Sequence, residues 1–145
     1  MHIMLLKYIA DAGRLYQRML ASVREAGGLT QTELDILLFL ANNPEYDTAS
    51  DIVAVRRLAK SNVSVGIRSL EAKGLLLRRL DGKDRRVEHL DPTPAARRLA
   101  ELGREGQQEF GNRLLQGFSP GDRAELERLM ERIQRNVSQA LDGLD

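Results

Sequence analysis

The chain has 145 residues, enough for one domain with a sizeable buried core, and 42% of them are hydrophobic, as in ordinary globular proteins. It has no cysteine, which excludes disulfides, thiolate metal sites and thiol redox sensing. Its aromatic content of 4%, without Trp, argues against a stacking platform for single-stranded nucleic acid. No apolar run reaches the ~18–20 residues of a membrane span, and the start lacks the basic region of a secretory signal. We therefore expect a soluble, cytoplasmic protein without a membrane partner.

Charge is distributed unevenly along the chain, although the formal net charge is only +1. Residues 51–98 hold twelve Lys and Arg against six Asp and Glu, a net charge of +6, which leaves −5 for the remainder. A basic middle between acidic ends is typical of a polyanion-binding segment carried on a neutral scaffold. A solvated charged surface has the same composition, so the charge alone leaves both interpretations open.

Two helices are predicted before residue 45. Apolar residues recur at helical spacing over residues 4–26, and Gly27-Gly28 form a C-terminal cap. A capping box at residues 30–33 then opens a helix that is apolar on most of its surface and ends at residues 42–44. We expect this second helix to be buried, with its acids such as Glu33 on polar, solvated faces.

A helical pair follows in the basic segment. Thr48, with Asp51 three residues later, caps a short helix that directs Ile52 and Val55 inward and stops near Arg57. The helix over residues 60–73 carries a buried stripe at i, i+4 and i+7, and Gly74 ends it. The stripe consists of Val63, Ile67 and Leu70. The opposite face is small, polar and singly basic, and consists of Ser61, Ser64, Val65, Arg68 and Ala72.

The remaining elements are a hairpin and two long helices. Strand-like runs over residues 75–80 and 87–90 are joined by a turn that begins Asp81-Gly82. Thr93-Pro94 starts a helix that extends to about residue 116 and contains three glycines, which predict a kink or a close helix crossing. The last helix opens at residues 119–122. Its apolar stripe consists of Leu126, Leu129, Met130, Ile133, Val137 and Leu141.

The predicted order from residue 30 onward is a helix, a short helix, a further helix and a β-hairpin. This is the order of a winged helix-turn-helix. We therefore expect a mainly α (α+β winged helix) fold whose third helix enters the major groove of double-stranded DNA. Arg68 is suited to guanine or phosphate, Ser61, Asn62 and Ser64 to phosphates or bases, and Val65 to a thymine methyl. Alternatively, Ser61 and Asn62 only cap the helix, Val65 is an incidental apolar residue, and Arg68 pairs with Glu71 or Glu88.

Four segments carry a resemblance to a known family over nearly the whole chain. They are Leu29-Thr30, Lys60-Ser61-Asn62-Val63-Ser64, Leu70-Glu71-Ala72-Lys73-Gly74-Leu75 and Asp84-Arg85-Arg86. Together they resemble the multiple-antibiotic-resistance regulator (MarR) family. The resemblance implies a single domain over residues 1–145, with a DNA-binding head at residues 30–92 and dimerisation helices at residues 1–28 and 93–145.

The resemblance also implies a function and a set of contact residues. The chain would be a ligand-responsive repressor that acts as a homodimer on a pseudo-palindromic operator, with Arg86 of the wing directed to the minor groove and Asp84 orienting the wing. The expected DNA-binding residues are Lys60, Ser61, Asn62, Ser64, Val65, Arg68, Lys83, Asp84, Arg85 and Arg86. A small effector would bind between head and dimerisation helices, where Tyr8, Tyr16 and Phe39 either line a pocket or simply pack in the core.

A dimer is expected on independent grounds, because the terminal helices carry more apolar surface than a winged domain can cover; an intramolecular bundle is the alternative. The chain departs from the family pattern in three places. Ala59 replaces a capping Ser or Thr, which would leave more of the capping to Ser61, and Val65 stands where the family frequently has a polar or basic residue. Residues 90–96 replace the usual Leu-Thr-x-x-Gly, which predicts a longer link from the wing to the next helix.

Catalysis, cofactors and metals are not expected. The two histidines, His2 and His89, are far apart in sequence and are predicted to be ordinary exposed residues, and no nucleotide-binding or nucleophile motif occurs. Two other functions remain open. One is a helical dimer that acts as a protein adaptor without DNA recognition, and the other is nonspecific chromosome packaging.

Overall fold

The computed structural model of the protein describes residues 2–144. The helices within this range are α1 (His2–Met19), α2 (Ala21–Gly27), α3 (Gln31–Asn42), α4 (Ala49–Asp51), α5 (Lys60–Ala72), α6 (Pro94–Leu114) and α7 (Pro120–Asp142). A π-helical turn spans Ile52–Arg56, and strands β1 (Leu76–Leu80) and β2 (Glu88–Pro92) form an antiparallel pair. This architecture confirms the predicted winged helix-turn-helix fold class. None of the helices described here is both long and apolar enough to cross a membrane.

The chain divides into two compact units at a point within α6. The first unit ends at Phe110 and contains α1 to α5, both strands and most of α6. The second begins at Gly111 and contains the end of α6 and all of α7.

The predicted N-terminal helix is two helices. Its chain leaves helical geometry at Leu20, which has φ −103° and ψ 0° and a fully buried side chain. Apolar spacing predicts which side chains are buried but not this local change of ψ, so the break was missed. The predicted end is confirmed, because Gly28 is left-handed at φ 60° and donates its N–H to the Arg24 and Glu25 carbonyls.

Helix α3 lies at the centre of the first unit's core. Its side chains from Leu34 to Leu40, apart from Asp35, are buried, and they pack with the predicted stripe of α5, which is buried as expected. The two helices approach closely at Gly66, where an added Cβ would lie 2.7 Å from Ile36 Cδ1. The orientation of α5 is therefore fixed by contacts with α3.

The segment before α5 differs in part from its prediction. Thr48 and Asp51 form the predicted capping box, and Ile52 is fully buried. Val55, however, is 48% exposed, whereas Val53 packs against the core. The expectation for Val55 assumed an α-helix, and the wider π-helical turn changes the direction of successive side chains. The turn ends at Arg57, which has a positive φ of 62°.

The junction between wing and α6 is shorter than predicted. Strand β2 continues to Pro92, and α6 starts at Pro94, so Thr93 alone joins them. The Thr93 N–H donates to the Leu75 carbonyl at 3.1 Å, and its Oγ1 donates to the Gly74 carbonyl at 2.9 Å. The expectation of a longer link was wrong because the strand absorbs the residues assigned to it.

Helix α6 crosses its neighbours closely at two of the predicted glycines. A Cβ at Gly103 would lie 2.5 Å from Leu38 Cδ2, and one at Gly106 would lie 2.8 Å from the Met19 carbonyl oxygen. The predicted close crossing is therefore confirmed.

The second unit exposes most of its apolar side chains. Ser119 and Asp122 form a reciprocal capping box that opens α7. The stripe predicted from the sequence lies along this helix, and Leu126 is its half-buried member. The exposed members are Leu129, Met130, Ile133, Val137 and Leu141.

Candidate nucleic-acid interface

The outer face of α5 is open to solvent. The exposed residues include those predicted to contact DNA, namely Lys60, Ser61, Asn62, Ser64, Val65 and Arg68. Val65 is 58% exposed although it is apolar. The Arg68 side chain has no ion-pair or hydrogen-bond partner within residues 2–144, so its alternative role as a partner of Glu71 or Glu88 is not observed.

The first turn of α5 has no side-chain cap. Ala59 is the N-cap, and among the described residues no side chain accepts a hydrogen bond from the N–H groups of this turn. Ser61 does not take over the capping, contrary to expectation. Because the first backbone N–H groups of a helix have no partner within it, this turn offers donors to an anion from solvent.

The wing turn is held by its own carboxylates. Asp81 Oδ2 accepts hydrogen bonds from the N–H groups of Lys83 and Asp84, each at 2.9 Å. Asp84 in turn binds the Arg86 guanidinium through both carboxylate oxygens at 3.1 Å, which keeps the pKa of Asp84 below its ordinary value. Arg86 remains 90% exposed, and Lys83 and Arg85 are exposed as well. The turn therefore presents three cations in a defined backbone conformation.

Arg78 joins the wing to α5. Its Nε donates to Glu71 Oε1 at 2.6 Å, and its Nη1 donates to Glu88 Oε2 at 2.9 Å. The two carboxylates that were candidate partners of Arg68 are thus occupied by a residue of β1. Arg78 was not singled out from the sequence, because strand pairing brings it to these acids.

Glu33 is a buried charge that the sequence analysis misjudged. Only 4% of the residue is exposed, and its carboxylate accepts from Ser69 Oγ at 2.9 Å and from Lys73 Nζ at 2.6 Å. Thr30 accepts from the Glu33 N–H as predicted, but the predicted reciprocal bond is replaced by these contacts with α5. A carboxylate in a helix that is buried on nearly all sides needs a cationic partner. The apolar sequence of α3 could therefore have predicted an ion pair for Glu33.

His89 is not an ordinary exposed residue. Its side chain is 20% exposed, with Nδ1 at 2.7 Å from Asp47 Oδ1 and Nε2 at 2.9 Å from Asp81 Oδ1. The prediction rested on the position of His89 on a wing strand and on its separation from His2, whereas its partner Asp47 lies 42 positions away. The side chain of His2 lies outside what the structure describes. Across the described part of the chain, no cluster of three His, Cys, Asp or Glu residues is arranged to hold a metal ion.

Two of the three candidate pocket residues line one crevice. Tyr16 and Phe39 border a space of about 120 Å³ together with Asp35, Leu38, Asn42, Asn43, Arg56 and Gln107. Gln107 Nε2 donates to the Tyr16 hydroxyl at 3.0 Å, and Phe110 packs edge-on against the Tyr16 ring at 5.3 Å. Tyr8 does not border this crevice and is 48% exposed on α1.

Comparison with solved structures shows the same fold in several regulators. A MarR-family transcriptional regulator from Listeria monocytogenes in complex with 26mer DNA has a TM-score of 0.84 at 18% identity, covering 94% of this chain and 89% of its own. The MepR–DNA complex of S. aureus has a TM-score of 0.76 at 19% identity, covering 94% and 98%. CouR from Rhodococcus jostii RHA1, bound to p-coumaroyl-CoA, has a TM-score of 0.71 at 20% identity, covering 86% and 87%.

The similarity found by sequence comparison covers a smaller part of the chain than the structural similarity does. No curated protein matches the sequence significantly. The MarR family model matches residues 27–87, which contain α3, α4, α5, β1 and the wing turn. This match and the shared fold confirm the resemblance to the MarR family of transcription regulators that was drawn from the sequence.

Proposed function

We propose that the protein is a sequence-specific regulator that binds double-stranded DNA as a homodimer on a pseudo-palindromic operator. The observation that carries the proposal is the outer face of α5, which is small and exposed, and on which Arg68 has no partner among residues 2–144. The wing follows α5 in the chain, and its turn presents Lys83, Arg85 and Arg86. DNA in the Listeria and S. aureus complexes supports the same partner here.

The residues of α5 have complementary roles in this proposal. Its uncapped first turn, with Lys60, Ser61 and Asn62, binds phosphate and sets the register of the helix in the major groove. Arg68 donates to guanine O6 and N7, Ser64 bonds to a base edge, and Val65 contacts a thymine methyl. Phosphate contacts supply affinity for any duplex, whereas the base contacts supply preference.

The wing has a separate role. Arg86, oriented by Asp84, inserts toward the minor groove, while Lys83 and Arg85 contact the flanking backbone. The head at residues 30–92 supplies these contacts, and residues 1–28 and 93–145 supply the dimer. Two-fold symmetry then places the recognition helices on half-sites about one helical turn apart, ~10–10.5 bp.

The homodimer is supported by apolar surface in both units. In α1 the exposed apolar residues are Ile3, Met4, Leu5, Leu6, Tyr8 and Ile9, and in α7 they are Leu129, Met130, Ile133, Val137 and Leu141. Exposed apolar surface on this scale marks an interaction site. We infer that a second copy of the chain covers this exposed apolar surface in the dimer.

Ile133→Glu tests the dimer, since it places a charge in the proposed interface. We expect sedimentation to show a monomer, and DNA affinity to fall with it. Val55→Glu is the matched control for the sedimentation measurement alone, because Val55 is similarly exposed but lies in the π-helical turn of the head. An intact dimer in Ile133→Glu would contradict the assigned interface.

We further propose that the protein is a cytoplasmic repressor that responds to a small molecule and has no catalytic activity. The bound p-coumaroyl-CoA of CouR supports an organic effector in general. The crevice at Tyr16 and Phe39 is the candidate site, and at about 120 Å³ it must widen to admit a drug-sized molecule, since such sites usually measure ~300–1,000 Å³. The crevice is bordered by residues of both α3 and α6, so a molecule that widens it would change the packing of these two helices.

A binding titration with selected and random duplexes tests the DNA function. Selection from a random pool should return a pseudo-palindrome that binds more tightly than random DNA, with affinity that falls as salt rises. Binding without sequence preference would favour chromosome packaging. Absence of salt-sensitive binding would favour the adaptor function and would refute the proposal.

A further inference from the structure

The side chain of His89 connects two parts of the first unit that are distant in sequence. Asp47, its partner at Nδ1, lies in the segment between α3 and α4, and Asp81, its partner at Nε2, begins the wing turn. The Leu90 N–H also donates to the Asp47 carbonyl at 2.7 Å, so β2 is attached to this segment through backbone and side chain. His89 therefore extends this attachment to the wing turn.

Both contacts require that His89 carry two protons. A neutral imidazole has one N–H donor and one lone pair, whereas an ionised carboxylate only accepts. Between two carboxylates, a neutral ring can donate one hydrogen bond through its single N–H. Its second nitrogen then directs a lone pair at the other carboxylate, which is unfavourable. Only the imidazolium donates to both Asp81 and Asp47.

The electrostatic surroundings favour that charged form. The carboxylates of Asp81 and Asp47 raise the pKa of His89 above its ordinary 6.5, and Arg79 on the facing strand opposes them. The hydrogen bond from His89, with those from the backbone N–H groups of Asp84 and Lys83, lowers the pKa of Asp81 to about 2. The clamp is therefore complete between the acid titration of Asp81 and the titration of His89, and is lost as pH rises through the pKa of His89.

Charged groups on the elements that neighbour His89 have partners of their own. Arg79 pairs with Asp91 at 3.0 Å, Asp51 of α4 accepts from the Thr48 N–H at 3.1 Å, and Asp84 binds Arg86. Carboxylates and guanidinium groups keep their charge near neutral pH. A change in the wing near neutral pH thus reports on His89.

We propose that His89 is a positioning residue and its imidazolium a proton-dependent clamp, which holds the wing turn to the segment before α4, so that the wing contributes less to DNA binding once His89 loses its proton. The DNA part of this inference rests on the proposed function. The clamp also has an effect in the free protein, because Asp81 fixes the Lys83 and Asp84 amides.

The first test is an NMR titration of the free protein across about pH 5–9, where histidine is the side chain that ordinarily titrates. The His89 ring should titrate above 6.5, and the amide signals of Lys83 and Asp84 should shift with the same midpoint. In His89→Gln this shared transition should vanish, while it should persist in the control His2→Gln. A midpoint at or below 6.5, or wing amides that do not follow it, would overturn the clamp.

The second test measures DNA affinity at constant salt on either side of the measured midpoint. Wild type and His2→Gln should lose about two- to fivefold more affinity than His89→Gln as pH rises, the range expected for one partly exposed ion pair. An equal pH dependence in His89→Gln would overturn the role in binding. Absence of binding at every pH in wild type would instead refute the proposed function, and the NMR titration would still decide the clamp.

Discussion

Lys73 Nζ lies 2.6 Å from Glu33 Oε2, and this ion pair joins the start of α3 to the end of α5. The two side chains differ in exposure, at 34% for Lys73 and 6% for Glu33. Lys73 Nζ also donates to the Gly28 carbonyl at 2.6 Å, so the pair connects α5 to the end of α2 as well. The ammonium has access to water that the carboxylate lacks.

The difference in exposure predicts unequal costs for the two single substitutions. Lys73→Met should lower the free energy of unfolding by about 2–3 kcal/mol, because it leaves a buried carboxylate without a cation. Glu33→Gln should cost about 1 kcal/mol, because the amide oxygen still accepts from Ser69 and the ammonium is solvated. Urea unfolding measures both. If Glu33→Gln costs as much as Lys73→Met, the difference in burial does not control the pair.

Arg68→Ala separates base recognition from folding. Because Arg68 is exposed and has no partner in the described chain, its removal should change the free energy of unfolding by no more than about 0.5 kcal/mol. On the selected operator it should cost about 1–3 kcal/mol of binding, and much less on random DNA, if the guanidinium binds a guanine. Equal losses on both duplexes would indicate a phosphate contact. No loss on either would show that this face of α5 does not meet DNA.

Arg86→Ala should weaken binding to selected and random duplexes alike. Because the substitution removes one cationic contact with DNA, the slope of log affinity against log salt should become shallower by about 1. Arg128→Ala is the matched control, because Arg128 is also an exposed arginine paired with a nearby acid, Glu125, but lies on α7. Titrations at several salt concentrations measure the slope. A slope like that of wild type would remove Arg86 from the interface.

Gly106→Ala and Gly111→Ala should have opposite effects on thermal stability, although both glycines lie in α6. Alanine is favoured in a helix interior by about 1 kcal/mol over glycine. At Gly111 an added Cβ meets nothing within 4 Å, so that gain should appear as a higher Tm. At Gly106 the Cβ meets the Met19 carbonyl, and the helices must separate at a cost of about 1–3 kcal/mol. A Tm raised by Gly106→Ala would contradict the close crossing.

Local patterns predicted the elements whose side chains follow a single period. The stripe of α5, the capping boxes at Thr48 and Ser119 and the left-handed Gly28 depend on residues within a few positions of one another. The break at Leu20 and the exposure of Val55 depend on backbone geometry that side-chain spacing does not encode.

The polar network of the site was harder to predict because its partners are distant in sequence. Glu33 meets Lys73 across 40 positions, and His89 meets Asp47 across 42. Composition indicated a basic segment but not which of its charges are neutralised internally. Arg78 is paired, whereas Arg68 has no partner in the part of the chain that the structure describes, and this distinction depends on the placement of the strands beside α5.

The single-residue junction at Thr93 leaves no slack chain between wing and α6. Thr93 is hydrogen-bonded to Gly74 and Leu75, which lie between α5 and β1, so α5, the wing and α6 share one anchoring point. A tilt or rotation of α6 cannot be taken up by a flexible connection there. A movement of α6 is therefore transmitted through Thr93, and it changes the orientation of the wing and of the end of α5 together.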